Sequence, residues 1–350
     1  MACESAGIIR LEGSTFETPG LSLVVPVLNE EASIPGFLAR VRPILAQVGL
    51  SYEVIFVDDG STDATAAIVT AEAARDDRIR LVRFSRNFGK EAALTAGLDW
   101  ASGAAVIPMD VDLQDPPELI ADFVRHWQDG YDVVYGQRVD RSSDSGAKRL
   151  TAGLFYRVFN AMAASPIEEN VGDYRLMNRA AVDATLQLRE RNRFMKGLFA
   201  WVGFRKIAVP YQRPERAAGS SKFNYWRLWN FALDGITSFS TAPLKIWTYV
   251  GLLVAGGAVA YTLAIVVRTL VFGRDVPGYA SLMVVILILG AVQLISLGIL
   301  GEYIGRLYME TKARPIYLVR EAVGFDAAAA AAPPPSPLTK AGQARAVRAS

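Results

Sequence analysis

The sequence predicts an α/β domain built on a mostly parallel sheet, followed by a hairpin of two membrane-spanning helices. Three observations predict it. β-branched runs alternate with helical patterns through the amino-terminal part of the chain, the order that lays right-handed crossovers onto a parallel sheet. Several of these runs end in polar, acid-rich segments, and the carboxyl ends of strands are where open α/β sheets bind ligands. Residues 246–267 and 279–300 are uncharged runs of 22 residues each. As helices they extend about 33 Å, enough for a hydrocarbon core of about 30 Å.

Taken in order, residues 1–19 are a polar extension with Glu4, Glu12 and Glu17 and no apolar signal-peptide core. Strands are expected at 21–27, 53–58, 79–84, 104–109 and 132–135. Helical patterns fill 30–46, 63–75, 91–101 and 117–128. Asn29 or Glu30 can cap the first helix and Asp63 the second. His126, on the last of these helices, reads as a structural histidine. Residues 150–164 set Leu154, Phe155, Val158, Phe159 and Met162 on one side, either as a core helix or as an interfacial one. Residues 223–241 carry Phe223, Tyr225, Trp226, Trp229, Phe231 and Phe239 beside Lys222 and Arg227, which suits a helix in the headgroup region.

The two apolar runs follow. Gly251, Gly256, Gly257, Gly290 and Gly298 are tolerated in membrane helices and permit close contact. Arg213, Arg216, Lys222, Arg227 and Lys245 precede the pair, and Arg306, Lys312, Arg314 and Arg320 follow it; only Arg268 and Arg274 lie at the turn. The positive-inside rule then puts both flanks, and both termini, in the cytoplasm. A buried helical hairpin of a soluble protein is the competing reading. Residues 327–350, rich in Ala and Pro without apolar periodicity, are expected to be disordered. The expected divisions are therefore an extension (1–19), a catalytic domain (20–222), an interfacial helix (223–243), two membrane helices (244–301), a cytoplasmic segment (302–326) and the tail (327–350).

Charge and cysteine usage exclude some partners. With 37 basic and 35 acidic residues the net charge is +2, which argues against a nucleic-acid binder. Cys3 is the lone cysteine, so no disulfide framework exists.

The chemistry centres on residues 106–117, where an apolar run climbs to Asp110, Asp112, Gln114 and Asp115 before a Pro-Pro turn. Two acids this close repel unless a cation lies between them, and hard oxygen ligands suit Mg²⁺ or Mn²⁺. A solvated acidic strand end would explain an isolated Asp-x-Asp equally well. Capping accounts for some of the acids after the other strands, but not for Asp58, Asp59, Asp110 and Asp112 converging at one edge. That convergence argues for a nucleotide and a metal. Neither a G-x-G-x-x-G nor a Walker lysine motif follows the first strand, so phosphate charge must be met by metal and basic side chains.

Four motifs in order, V-V-P-V-L-N-E-E (24–31), V-D-D-G-S-T-D (57–63), F-S-R-N-F-G-K-E-A-A-L (84–94) and M-D-V-D-L-Q-D-P-P-E-L (109–119), resemble glycosyltransferase family 2. G-D-Y-R-L-M-N-R (172–179), G-S-S-K-F (219–223), G-E-Y-I-G-R-L-Y (301–308) and K-A-R-P-I-Y-L-V (312–319) narrow the resemblance to polyprenyl-phosphate glycosyltransferases, over roughly residues 20–320. The resemblance implies a GT-A, Rossmann-like fold, a nucleotide-sugar donor (UDP- or GDP-linked), a polyprenyl (undecaprenyl) phosphate acceptor, Mg²⁺ or Mn²⁺, and one inverting displacement. It also implies a multi-pass protein of the bacterial inner membrane and a homo-oligomer, a tetramer.

Residue by residue, it implies that Pro26, Leu28, Asn29, Glu30, Asp58, Asp59, Lys90 and Asp110 bind the nucleotide sugar. Asp110, Asp112 and Gln114 match the metal and diphosphate site. Arg138 matches a basic residue facing both phosphates, and Arg216 and Lys222 fall in a closing loop, where attraction to the membrane surface would equally account for them. Arg141, Lys148 and Arg149 are further cationic candidates. Asp173 would orient an arginine, touch the sugar or act as a structural cap. A processive polysaccharide synthase would share the acidic pair but needs a Q-x-x-R-W segment and more spans, and a non-catalytic membrane scaffold would not need the intact acids. The motifs leave the sugar, the nucleotide and the choice of metal open.

Overall fold

A computed structural model describes residues 19–139, 160, 166–168, 170–191, 193–212, 242–273 and 278–325. Within these, eight strands form one sheet in the order β7-β5-β6-β4-β1-β2-β3-β8. Its centre is β1 (Leu21–Val27), paired in parallel with β2 (Tyr52–Asp58) on one side and β4 (Ala105–Pro108) on the other. β3 (Ile79–Phe84) extends the parallel set. Near-continuous burial along β1 and β2 marks strands covered on both faces. Helices α1 (Ile34–Val48), α2 (Thr65–Ala73), α3 (Lys90–Trp100) and α4 (Leu119–Gln128) supply the crossovers. All nine of these elements, counting β5 (Val133–Arg138), were expected, with ends displaced by a few residues.

Three strands were not expected. β6 (Val171–Asn178) is antiparallel to both β4 and β5, β7 (Lys206–Tyr211) pairs in parallel with β5 at one edge, and β8 (Val319–Val323) pairs antiparallel with β3 at the other. The sheet is thus parallel at its centre and mixed towards both edges. Two short helices, α5 (Arg179–Gln187) and α6 (Met195–Trp201), connect β6 to β7.

Two apolar layers cover the sheet. One joins Phe37, Phe56 and Phe123 from α1, β2 and α4. The other joins Val24, Leu94, Leu98, Met195 and Tyr317. Gly97 lets α3 lie directly on β1, since a Cβ there would collide with the Val24 side chain.

Helices α7 (Ala242–Phe272) and α8 (Tyr279–Thr311) form the expected hairpin and touch one another. Residues 244–268 and 284–311 are long and apolar enough to cross a membrane. Their apolar windows are wholly unburied, which overturns the reading of a soluble core hairpin. α8 runs on to Thr311, beyond the expected end at 301, before the chain returns to the sheet as β8. His126 is half-buried, edge-on to Tyr131, as a structural histidine should be. Of the two amphipathic stretches, residues 223–241 lie outside the described residues, and so do residues 150–164 apart from Asn160.

Candidate active site

The loops after β1, β2 and β4 meet at the carboxyl edge of the sheet around a cleft of about 240 Å³. Pro26, Leu28, Glu30, Asp59, Lys90, Asp110 and Asp112 line it. Backbone ties hold the rim together. Asn29 adopts a left-handed φ of 55°, donates its N–H to Ser61 Oγ (2.9 Å) and accepts the Thr62 N–H at Oδ1 (2.9 Å). The Glu30 N–H reaches Thr65 Oγ1 (2.8 Å), and its carboxylate accepts from Ser33 Oγ (2.6 Å). Neither residue caps α1 as the sequence suggested; Ser33 holds that position, and Asn29 and Glu30 join the first loop to the second. Asp63 does accept the Thr65 N–H of α2 (3.0 Å).

Asp58, the last residue of β2, and Asp59, the first after it, part ways. Asp58 is fully buried, accepting the Ser61 N–H (2.9 Å) beside Arg83 Nε (3.2 Å), so it supports the loop instead of lining the cleft. Asp59 faces the cleft and accepts two backbone N–H groups, from Phe88 (2.6 Å) and Gly89 (2.9 Å), just before α3. Burial pushes its carboxyl above the usual range, and the two N–H groups oppose that only in part. Gly60 is needed in the turn directly after Asp59. Its φ is +78°, and a Cβ would sit 2.6 Å from the Arg86 backbone carbon.

The acidic pair follows β4, whose end is tied to β1 by Met109 N–H donating to Val24 O (2.9 Å). Lys90, the first residue of α3, reaches both oxygens of Asp110 (2.7 and 2.8 Å) and Asp173 Oδ2 (3.1 Å). Burial alone would lower the Lys90 ammonium, but Asp173 and Asp110 together hold it above its ordinary value. Asp112 is exposed, and its Oδ1 accepts the backbone N–H of Gln114 (3.1 Å). Leu113 between them has a left-handed φ of 55°, an uncommon conformation for a bulky residue, and it sits at this rim. Gln114 itself is buried. Among the described residues no group of three or more His, Cys, Asp or Glu converges as a metal cage. Two carboxylates facing an open cleft still fit Mg²⁺ or Mn²⁺, which takes one or two carboxylates and completes its sphere with phosphates and water.

Asp173 lies inside β6, so the capping reading fails; the cap of α5 is Asn178, which accepts the Ala181 N–H (2.8 Å). Burial would raise the Asp173 carboxyl, but Lys90, Lys196 and Arg175 outweigh it and keep it low. Arg138, at the end of β5, donates from Nε to Tyr211 Oη (3.1 Å), and Tyr211 donates to Asp115 Oδ1 (2.5 Å). Sequence reasoning missed Tyr211, Glu91, Arg175 and Lys196. Arg175 is buried over the Phe199 ring (4.2 Å), and Glu91 accepts the Met195 N–H (3.0 Å). Glu91 and Arg175 fall within the 84–94 and 172–179 motifs but were not singled out, whereas no local motif marks Lys196 and Tyr211, which α6 and β7 bring in from distant sequence. Arg141, Lys148, Arg149, Arg216 and Lys222 lie outside the described residues.

Residues 22–186 match the Glycosyl transferase family 2 profile, and residues 242–307 match the GtrB C-terminal hairpin. A bactoprenol glucosyl transferase of Shigella phage SfV is 54% identical over 300 residues, 86% of this chain and 98% of that protein. The chain belongs to glycosyltransferase family 2. A second relative, an uncharacterized glycosyltransferase of Synechocystis sp., is 52% identical over 87% of this chain and 96% of its own length. Among solved structures, a Pyrobaculum calidifontis mannosyltransferase in complex with GDP-Man and Mn²⁺ aligns over 95% of this chain and 81% of that chain, at 19% identity and a TM-score of 0.41. By its family and its hairpin, this family 2 enzyme joins a GT-A-type sheet to two apolar helices in one chain.

Proposed function

We propose that this glycosyltransferase moves one sugar from a nucleotide-sugar donor to a polyprenyl phosphate at a bacterial inner membrane. One observation carries the reading: a chain with a carboxylate-lined cleft at the carboxyl edge of its sheet also carries an exposed two-helix membrane hairpin. Identity above half to bactoprenol glucosyl transferases over nearly their whole length supports it and makes glucose the first sugar to test.

Pro26, Leu28 and Glu30 form one wall of the donor cleft, Asn29 braces that loop against Ser61 and Thr62, and Asp59 fixes the opposite loop. Asp110 and Asp112 would hold Mg²⁺ or Mn²⁺, with Gln114 fixing the Asp112 carboxylate through its backbone N–H. Bound there, the cation supplies Lewis-acid neutralisation of the diphosphate leaving group. Arg138, steadied by Tyr211, presents its guanidinium to phosphate, a geometry that suits bidentate contact. Arg216 and Lys222 add positive charge from the segment before the hairpin. The acceptor phosphate oxygen is already anionic at neutral pH. It forms the new bond to the anomeric carbon as the bond to the nucleoside diphosphate breaks, so no strong general base is required. Asp173 accordingly serves to order Lys90 at the cleft.

The test offers radiolabelled UDP- and GDP-sugars with undecaprenyl phosphate to the full-length protein and follows label into the lipid phase. A single sugar on the lipid is expected with one donor. Label in a long polymer would favour a processive synthase, and no transfer from any donor by folded protein would refute the reading.

A further inference from the structure

The feature of the cleft that the reaction above leaves unexplained is the position of Lys90. Its ammonium lies 2.7 and 2.8 Å from the two oxygens of Asp110, one of the two carboxylates proposed above to hold the divalent cation, and 3.1 Å from Asp173. A dication drawing on Asp110 meets a positive charge already seated on both of its oxygens. Like charges this close oppose one another even in a solvated site.

The backbone beneath Lys90 is anchored, whereas its half-exposed side chain is tied through its ammonium to Asp110 and Asp173. Asp59 clamps the Phe88 and Gly89 N–H groups at 2.6 and 2.9 Å, and Lys90 begins α3. Its side chain is 47% exposed and lines the same cleft as Asp59, Asp110 and Asp112. A pivot of the flexible four-carbon stem therefore carries the ammonium from Asp110 into the cleft. A diphosphate arriving there offers it a second anion.

We infer that Lys90 is a positioning residue that competes with the divalent cation for Asp110 and is drawn off by the donor diphosphate, so that metal and donor bind cooperatively. Metal alone meets the full competition. With diphosphate present, Lys90 exchanges Asp110 for phosphate oxygens and leaves that carboxylate to the metal. By linkage the cooperativity is reciprocal: whatever factor the nucleotide adds to metal affinity, the metal adds to nucleotide affinity. The role rests on the metal site proposed above.

The experiment titrates Mn²⁺ onto the detergent-solubilised full-length protein by electron paramagnetic resonance, with and without UDP, or GDP where that is the diphosphate that binds. Wild type should bind Mn²⁺ weakly alone and much more tightly with nucleotide. Lys90→Met, which keeps the stem and removes the charge, should bind Mn²⁺ alone about tenfold more tightly. Its gain on adding nucleotide should shrink. Lys90→Arg should retain the competition. A purely structural bridge would leave the Mn²⁺ affinity of Lys90→Met unchanged or weaker, and that result overturns the inference. Lys90→Gln is read the same way if Lys90→Met does not fold. Wild type in which Mn²⁺ and nucleotide bind independently overturns it without any variant. Wild type that binds no Mn²⁺ even with nucleotide refutes the metal site itself, a separate outcome.

Discussion

At the level of single residues, the acids of this cleft divide by what already occupies them. Asp58 is sealed by Arg83 and Ser61, Asp59 by two backbone N–H groups, and Asp110 by Lys90, whereas Asp112 is exposed, with Oδ1 accepting the Gln114 N–H. Asp112→Asn should therefore spare the fold and cost transfer roughly a hundredfold or more, the several kcal/mol of a lost Lewis-acid site. Unchanged thermal unfolding together with lost Mn²⁺-dependent nucleotide binding is the expected pair of results; near-normal transfer would exclude the metal assignment. Glu91 carries a different prediction. Burial, then the nearby Asp173, push its carboxyl from 4.5 up to about 7. A carboxyl raised in the folded state contributes stability that is full below about 4.5 and is lost as pH rises through about 7. Glu91→Gln should accordingly melt above wild type at pH 8, with the gap closing towards pH 5; a gap independent of pH would contradict the assignment. The acids at strand ends were legible because each follows a β-branched run directly. Glu91, Lys196 and Tyr211 were not, because their relation to Asp173 and Arg138 exists only after β6, α6 and β7 have been laid beside the first half of the sheet.

The same division holds between elements. The first four βα units were legible because buried parallel strands read as apolar runs and their helices follow at short intervals. β6 escaped because Asp173 and Arg175 interrupt its apolar pattern for the sake of the site. β7 is a short edge strand containing Pro210, and β8 is charged in the manner of protected edges, with Arg320 and Glu321. Among helices, α3 matters most, since it begins at Lys90 and lies on β1 through Gly97. Gly97→Ala would drive a methyl into Val24, whose β1 neighbours are fixed on both sides, so α3 must move. Overpacking of this kind costs about 1–3 kcal/mol. The expected result is a lower thermal midpoint together with weaker nucleotide binding, as Lys90 shifts with its helix. A variant as stable as wild type would mean that α3 does not bear on β1 as described.

For the molecule as a whole, the return of the chain to the sheet ties the outer end of α8 to the catalytic domain. α8 ends at Thr311, Tyr317 then stacks on Phe84 (5.0 Å between rings) and donates to Asp99 (3.0 Å), and β8 pairs with β3. Arg191 also donates to the Arg314 carbonyl (3.1 Å). The far end of the hairpin is thereby tied to the catalytic domain that precedes its near end. Two antiparallel spans satisfy this without strain, because both their outer ends emerge on one side. Charge then selects which side. Lys245 in the first turn of α7 and Lys312, Arg314 and Arg320 after α8 flank the outer ends, against Arg268 near the end of α7 and Arg274 in the turn, so the catalytic side should be cytoplasmic. On that side the cleft would meet cytoplasmic nucleotide sugars. Cysteine labelling of intact cells tests this in a Cys3→Ser background. Gly278→Cys is suited to the turn, because φ at Gly278 is −170°, an extended value any residue adopts, whereas Gly273 is left-handed at +79°. A membrane-impermeant maleimide applied outside should modify Gly278→Cys and leave Ser336→Cys untouched until the cells are opened. Labelling of Ser336→Cys from outside, with Gly278→Cys protected, would invert the orientation and put the donor cleft on the wrong side of the membrane for its substrate.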